Sequence, residues 1–231
     1  MVVFIIIGYV TVGLRFATIT AILLAFIGAT GMWMHSMITL SSVLVSVLIC
    51  FVIGVPLGVL ASYNKWYRDI QNVVLDAMQT LPYFCYLIPV LMFFGGNIVS
   101  AVIATVIYSV PPIIRLTALG LSQVSGGYSE VSKSFGGTGI QTLNKVKFPL
   151  AVPSLVMGFN QTVIMAFAMQ IVTPLIGGKG LGLQVFNALQ RSDTGRGLSA
   201  GLAIVLLAII IDRITHAWTK KQRQALGLDQ S

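Results

Sequence analysis

Along this chain apolar residues come in long runs separated by short polar connections. Phe16 to Met32, Ser36 to Ser62, Asn72 to Phe94, Ile98 to Leu121, Ala151 to Ile176 and Gly197 to Trp218 are all candidates for a bilayer-spanning helix, which needs about 20 mostly apolar residues. The opening segment, Met1 to Leu14, is apolar but short for a span. It reads as a tilted or truncated first helix or as the first half of one long helix interrupted by Arg15, and a separate first helix is favoured. The pattern predicts an all-α, polytopic transmembrane helical bundle of about six to seven spans, since helices satisfy their own backbone groups in lipid. The helices are not smooth. Gly54, Pro56 and Gly58 interrupt one, Pro82 and Pro89 the next, and Pro111-Pro112 the one after. Proline frees carbonyls that need another partner in lipid. Such kinks are either structural bends or the walls of a polar pathway, and the pattern leaves both open. There is no internal repeat, no low-complexity linker and no soluble domain.

Composition agrees with a bilayer solvent. Of the 231 residues 56% are hydrophobic and 9% are charged, with a mean hydropathy of +0.92. A soluble domain carries about 25% charged residues, so a water-facing surface is excluded for much of the chain. The net charge of +8 comes from basic residues that lie mostly between the apolar runs. They orient a membrane protein and do not signal nucleic acid. Arg15, Lys65, Arg68, Lys133, Lys145, Lys147, Lys220, Lys221 and Arg223 fall on one side if the spans alternate. That side is expected to be cytoplasmic, and it holds the connection Ser122 to Leu150 and the carboxyl tail. Gly31 to His35 and Gly95 to Asn97 carry no Lys or Arg and fall outside. Gly177 to Arg196 is assigned outside despite Lys179, Arg191 and Arg196. The start has no basic region or small-residue cleavage site and is not read as a removable signal peptide. Cys50 and Cys85 lie in apolar runs and make no CxxC pair, which argues against a disulfide framework or a zinc site.

Catalytic chemistry is missing from the pattern. Lys179 follows Gly178, but Thr173 stands where a P-loop needs its first glycine, and Gly180 where it needs Ser or Thr. With His35 and His216 as the only histidines, a hydrolytic metal site is not expected. No pair of carboxylates suggests acid–base work. Asp76 and Asp212 sit near expected cytoplasmic ends, where structural pairing with Arg or Lys is favoured over a proton relay near the midplane.

The connection Ser122 to Leu150 carries the most information. Glu130 to Phe135 suits a short helix, Gly136-Gly137 and Gly139 permit a sharp turn, and Gln141 to Lys147 suits a second short helix. Pro149 is expected to end that helix and start the next span. The product is a compact helix-turn-helix whose apolar residues suit a groove on a partner, with Glu130 offering a charge. The alternative is an amphipathic loop on the membrane surface. Glu130-Val-Ser132-Lys-Ser-Phe135-Gly136, nine residues, then Val146-Lys-Phe-Pro149 resembles the E-A-A, three residues, G, nine residues, I-x-L-P coupling-loop motif of bacterial ABC importer permeases. Glu130, Gly136 and Pro149 match by identity. Asp76-Ala-Met-Gln-Thr-Leu-Pro82, Tyr86-Leu-Ile-Pro89, Pro111-Pro112-Ile-Ile-Arg115, Asn160-Gln161-Thr162, Gly180-Leu-Gly182 and Asp212-Arg213 resemble segments of the ProU and OpuA type permeases of glycine betaine and proline betaine importers.

The resemblance implies a type I ABC importer permease fold. It divides the chain into an amino-terminal transmembrane part (1–35), a permease core (36–218) with the coupling loop 122–150, and a cytoplasmic tail (219–231). It implies an inner-membrane permease for glycine betaine, proline betaine, choline, carnitine or similar quaternary amines. No cofactor is expected in this chain, with ATP and Mg on a partner ATPase present in two copies. A second permease copy, an extracytoplasmic solute-binding protein and membrane lipid complete the expected partners. The coupling residues would be Glu130, Ser132, Phe135, Gly136, Gly137, Val146 and Pro149. For the pathway, Asn160-Gln161-Thr162 reads as the polar opening of the span from Ala151, with Tyr83, Phe84, Tyr86 and Met165, joined by Met78 and Met169, as lining. Aromatic faces would hold a quaternary amine loosely, although the tyrosines equally suit plain packing. Relatives often begin with a longer region than this chain has. Gly95-Gly96-Asn97 is shorter than their usual loop, and Pro174 stands where a small aliphatic residue is usual. The rival reading is a secondary transporter driven by an ion gradient, which calls for coupling residues deep in the membrane and often for repeat symmetry.

Overall fold

The computed structural model of the chain describes residues 6, 8, 9 and 13–225. Most of the expected first helix, Met1 to Leu14, and the end of the tail lie outside these residues. Helix α1 (Leu14–Ala29) is 16 residues long, about 24 Å at 1.5 Å per residue and so short of the roughly 30 Å hydrocarbon core. Helix α2 (Trp33–Tyr63) has 31 residues and keeps Pro56 inside it. Helices α3 (Lys65–Thr80) and α4 (Phe84–Phe94) meet at 98°. Helices α5 (Ile98–Ser109) and α6 (Pro111–Gln123) form one rod, because Val110 keeps helical dihedrals and the prolines sit at the first positions of α6. Two short helices, α7 (Gly126–Ser134) and α8 (Gly139–Thr142), follow. A π-helical turn, Leu143–Lys147, carries α8 into α9 (Phe148–Met169). After a 3₁₀ turn (Thr173–Ile176) come α10 (Leu181–Arg191) and α11 (Thr194–Ala225).

Among the described residues four rods are long and apolar enough to cross a bilayer, or five if α3 and α4 count as one broken span. That is fewer than the six to seven expected from the apolar runs. The run Asn72 to Phe94 is not one kinked helix. Leu81, before Pro82, is extended (φ −67°, ψ 131°), as the residue preceding a proline prefers, and the chain turns there. Pro149, by contrast, does not end a helix. Gly139–Met169 runs continuously. The turn before Pro149 widens, with the Phe148 N–H reaching back to the Leu143 carbonyl. A wider turn relieves the clash between a proline ring and the carbonyl four residues earlier. The expected external loop Gly177 to Arg196 contains α10, and α11 continues past the expected span end at Trp218 to Ala225.

Helix α6 sits between α2 and α9, and small residues let it approach. A Cβ at Gly54 would stand 2.4 Å from Ile113, and one at Gly58 would stand 2.6 Å from the Thr117 Cβ and 2.7 Å from the Ile114 carbonyl. Four residues apart on α2, the two glycines form a groove of the kind that membrane helices use for close van der Waals packing. A second core joins Leu24 and Ile27 of α1 to Val43 and Val47 of α2, Phe167 of α9 and Leu207 of α11. The three expected outer connections gather at one end. The Leu181 N–H donates to Thr39 Oγ1 at 2.8 Å, Gln184 bonds His35 at 3.3 Å, and Gly177 abuts Gly96 and Asn97. At the other end the Lys147 ammonium stands 5.1 Å from the Tyr63 ring centroid. The two ends separate as alternating spans require.

Candidate functional site

The loop between α6 and α9 is built around a helix stop and a helix start. Helix α7 ends in a left-handed residue, Gly136 (φ +78°). The Gly137 N–H returns to the Ser132 carbonyl at 2.9 Å, which closes a Schellman stop and satisfies a terminal carbonyl. Thr138 then caps α8 reciprocally. Its hydroxyl accepts from the Gln141 N–H (3.3 Å), and the Gln141 side chain accepts from the Thr138 N–H (2.8 Å). Ser132 and Thr142 hydroxyls meet at 2.8 Å and tie the two helices together. The expected helix-turn-helix is present, but its first helix is Gly126–Ser134, not Glu130 to Phe135. At Gly136 a Cβ would meet nothing within 4 Å. Its constraint is the positive φ. The close contact lies at Gly137, where a Cβ would stand 2.6 Å from Ser132 Oγ.

Phe135 is 88% exposed and Ile140 is 73% exposed, although both are large and apolar. With Tyr128 and Val131 they give the loop an uncovered apolar surface. Beside it lies a hollow of about 450 Å³ lined by residues that include Val131, Ser132, Phe135, Gln141 and Val146. Glu130 is exposed on α7, and Pro149 is half-buried at the start of α9. Glu130, Ser132, Phe135, Gly136, Gly137 and Val146 are thus gathered on one projecting unit. The continuous helix Gly139–Met169 joins that unit to the bundle.

The candidate lining residues fall into separate groups. Tyr83, Phe84 and Tyr86 flank the α3–α4 break. Tyr83 stacks near Phe84 (4.6 Å between ring centroids), and Tyr83 and Tyr86 lie 6.2 and 6.3 Å from Tyr108 of α5. Pro82 has no N–H for the Met78 carbonyl four residues earlier, and the Tyr86 hydroxyl donates to that carbonyl instead. Tyr86 is buried, whereas Tyr83 and Phe84 remain exposed. Tyr86→Phe should keep the ring packing but leave the carbonyl unsatisfied, at about 1–3 kcal/mol. The thermal unfolding midpoint in detergent checks this, and an unchanged midpoint would remove the hydroxyl from the account.

Asn160, Gln161 and Thr162 do not open a span; they lie midway along the 22-residue α9. Successive residues on a helix point to different faces, so the three do not act as one cluster. Gln161 is exposed, while Asn160 and Thr162 are buried. Asn160 Nδ2 donates to Asp212 Oδ1 at 2.7 Å and stands 3.0 Å from His216 Nε2. Met165 is half-buried, and Met169 is buried in a core with Leu87 and Ile176. Asp76 pairs with Arg115 of α6 at 2.6 Å, so it has the arginine partner expected of it. Sequence reasoning missed Thr138, Gln141 and Thr142, although the Thr-x-x-Gln spacing signals a helix start. It also missed His216 as a neighbour of Asn160, which no local pattern could have supplied.

Residues 54–224 match the family described as binding-protein-dependent transport system inner membrane component. The chain belongs to that family. Among its relatives, the glycine betaine/proline betaine transport system permease protein ProW of Escherichia coli K12 is 42% identical over 223 residues, covering 96% of this chain and 63% of that protein. The glycine betaine transport system permease protein OpuAB of Bacillus subtilis is 42% identical over 206 residues, covering 89% of this chain and 72% of that protein. The glycine betaine/carnitine transport permease protein GbuB of Listeria monocytogenes is 45% identical over 191 residues, covering 83% of this chain and 68% of that protein. The chain thus spans 63% of the length of the Escherichia coli relative. A chain of the MetNI methionine ABC transporter, solved in inward facing conformations, superposes with a TM-score of 0.72 at 23% identity, covering 80% of this chain and 93% of that one. At that identity the likeness speaks to the fold alone. The resemblance to betaine permeases read from the motifs is borne out, and with it the placement of this family member as a multi-pass inner-membrane component.

Proposed function

We propose that the chain is the transmembrane permease subunit of an ATP-driven, binding-protein-dependent importer of glycine betaine and related quaternary amines. ATP is hydrolysed on a separate ATPase, present in two copies, and an extracytoplasmic binding protein delivers the solute. The observation that carries the reading is the loop Gly126–Lys147. It is a capped, internally bonded unit with exposed Phe135 and Ile140, continuous with a long membrane helix. Such a unit suits a groove on an ATPase and moves as a body when the groove moves, because packed interfaces switch between discrete arrangements. In this reading Glu130, Ser132, Phe135, Gly136, Gly137, Val146 and Pro149 form the coupling element. Residues 36–218 are the permease core, in a fold of the type I importer kind.

The substrate class rests on the relatives' names, which include glycine betaine, proline betaine and carnitine. A second copy of the permease completes the proposed assembly; Ile88, Met92 and Phe93 of α4 are exposed among the described residues, on a face that lipid or that copy would cover. An uptake screen tests the function. A host without betaine uptake, given this chain with its ATPase and binding protein, should accumulate glycine betaine among a panel that includes proline betaine, carnitine, choline and trimethylamine N-oxide. Uptake should vanish when the ATPase is omitted. Accumulation of none of the panel would overturn the substrate class.

A further inference from the structure

Asp76 and Arg115 form a 2.6 Å ion pair whose side chains stay 63% and 38% exposed. Arg115 lies within a rod apolar enough to span the membrane, eight residues before its end at Gln123, so about 12 Å along the helix. Charges at such positions face a bundle interior or a watery cavity rather than lipid, and they mark ion and substrate pathways. Beside the pair lies a hollow of about 440 Å³ whose lining includes Arg68, Asn72, Leu119 and Ser122, within the range of about 300–1,000 Å³ usual for small-molecule sites. Asp76 does not saturate the guanidinium. Arg115 spends Nη2 on it, and its enclosed Nε has no hydrogen-bond partner among the described residues.

The pair also lies in line with the aromatic group at the α3–α4 break. Tyr108 and Arg115 stand seven residues apart on the α5–α6 rod, two helical turns or about 10 Å, and so share one face. The partners on the facing segment keep the same order. Tyr83 stands against Tyr108, and Asp76 against Arg115. One strip therefore presents aromatic rings, then a carboxylate beside a guanidinium. A quaternary ammonium is attracted to ring faces and to a carboxylate. A carboxylate is held by a guanidinium, with two parallel bonds where geometry permits.

We infer that Asp76 and Arg115 form a charge-exchange site in the cytoplasmic half of the pathway, for a zwitterion that carries a quaternary ammonium and a carboxylate. The passing solute replaces the internal pair with two ion pairs of its own, its ammonium toward Asp76 and its carboxylate toward Arg115, and the pair re-forms behind it. This rests on the proposed import function and names residues for it. The plain alternative is a tie between α3 and α6.

The test uses the whole transporter, with ATPase and binding protein, in proteoliposomes. The double variant Asp76→Asn/Arg115→Gln keeps a hydrogen-bonded link between the helices but removes both charges. It should co-purify with the ATPase as the parent does, while glycine betaine uptake falls about tenfold or more, the scale expected for lost charge-assisted contacts. Uptake at the parent rate would overturn the inference and leave a structural tie. A second measurement covers a variant that fails to assemble. Leu119→Cys, in a background lacking Cys50 and Cys85, places a thiol on the hollow. Glycine betaine should slow its labelling by a thiol reagent several-fold during ATP turnover. Labelling that glycine betaine leaves unchanged would also overturn the site. The parent transporter is measured alongside. If it imports no glycine betaine, the proposed function has failed; if it imports and the site results are negative, only the charge-exchange site has failed.

Discussion

Gly136→Val should uncouple the transporter while leaving it in the membrane. Gly136 is the left-handed stop of α7, at φ +78°. A Cβ at this position would meet nothing within 4 Å. The cost comes from the backbone, because a β-branched residue in that conformation is strained by about 1–3 kcal/mol. The strain is relieved if the Gly137 return bond to Ser132 opens, and the Ser132–Thr142 hydroxyl contact is placed by that same turn. The unit that would seat in the ATPase then no longer moves as one body. A bias of about 1–2 kcal/mol shifts a conformational ratio roughly 5–30-fold, and solute-stimulated ATP hydrolysis should fall on that scale. Glu130→Lys tests the same surface by charge. If Glu130 meets a basic partner in a buried contact, its reversal costs about 2–5 kcal/mol of assembly. Membrane abundance, co-purification with the ATPase and stimulated hydrolysis in one preparation separate these effects. Parent-like behaviour of both variants would show that the loop is not the coupling element.

Gly58→Leu should damage the bundle itself. At Gly58 even a Cβ would stand 2.7 Å from the Ile114 carbonyl oxygen, a backbone atom that cannot swing away. Helices α2 and α6 would have to separate, and α6 would be pressed toward α9, where Gly120 already abuts Ser154. Overpacking of this kind costs about 1–3 kcal/mol and sometimes more. The expected result is a lower thermal unfolding midpoint in detergent and lower membrane abundance. Gly28→Leu, at a position where a Cβ meets nothing within 4 Å, serves as the exposed control. Equal midpoints for the two variants would contradict the packing described for α2.

The membrane class and the helix-turn-helix before the span at Phe148 could be read from the sequence because both are local patterns. Apolar run length reports a span, and Gly136 and Pro149 stand at fixed offsets from Glu130. What proline does was harder to foresee. Pro82 splits a span because Leu81 before it goes extended and Tyr86 is placed to donate to the Met78 carbonyl it strands. Pro149 leaves the helix whole because a π turn precedes it. The two prolines look alike in sequence, and the difference lies in the neighbouring turns. Contacts between distant segments were also hidden. Asn160 and Asp212 are 52 residues apart, and Asp76 and Arg115 are 39 apart. Polar residues in the apolar runs could be noticed, but their partners are set by helix packing. Reading Asn160, Gln161 and Thr162 as one cluster failed because neighbours in a helix diverge around its axis.

Glycine betaine uptake by the reconstituted transporter separates an ATP-driven importer from an ion-driven one. The chain is assembled with its ATPase in proteoliposomes, with the binding protein on the side of the Gly177–Arg196 segment. Uptake of labelled glycine betaine is then followed with and without ATP, and with ionophores that collapse ion gradients. The expected result is accumulation that requires ATP and binding protein and survives the ionophores. Accumulation that proceeds without ATP and stops when the gradients collapse would contradict it and point to an ion-driven transporter.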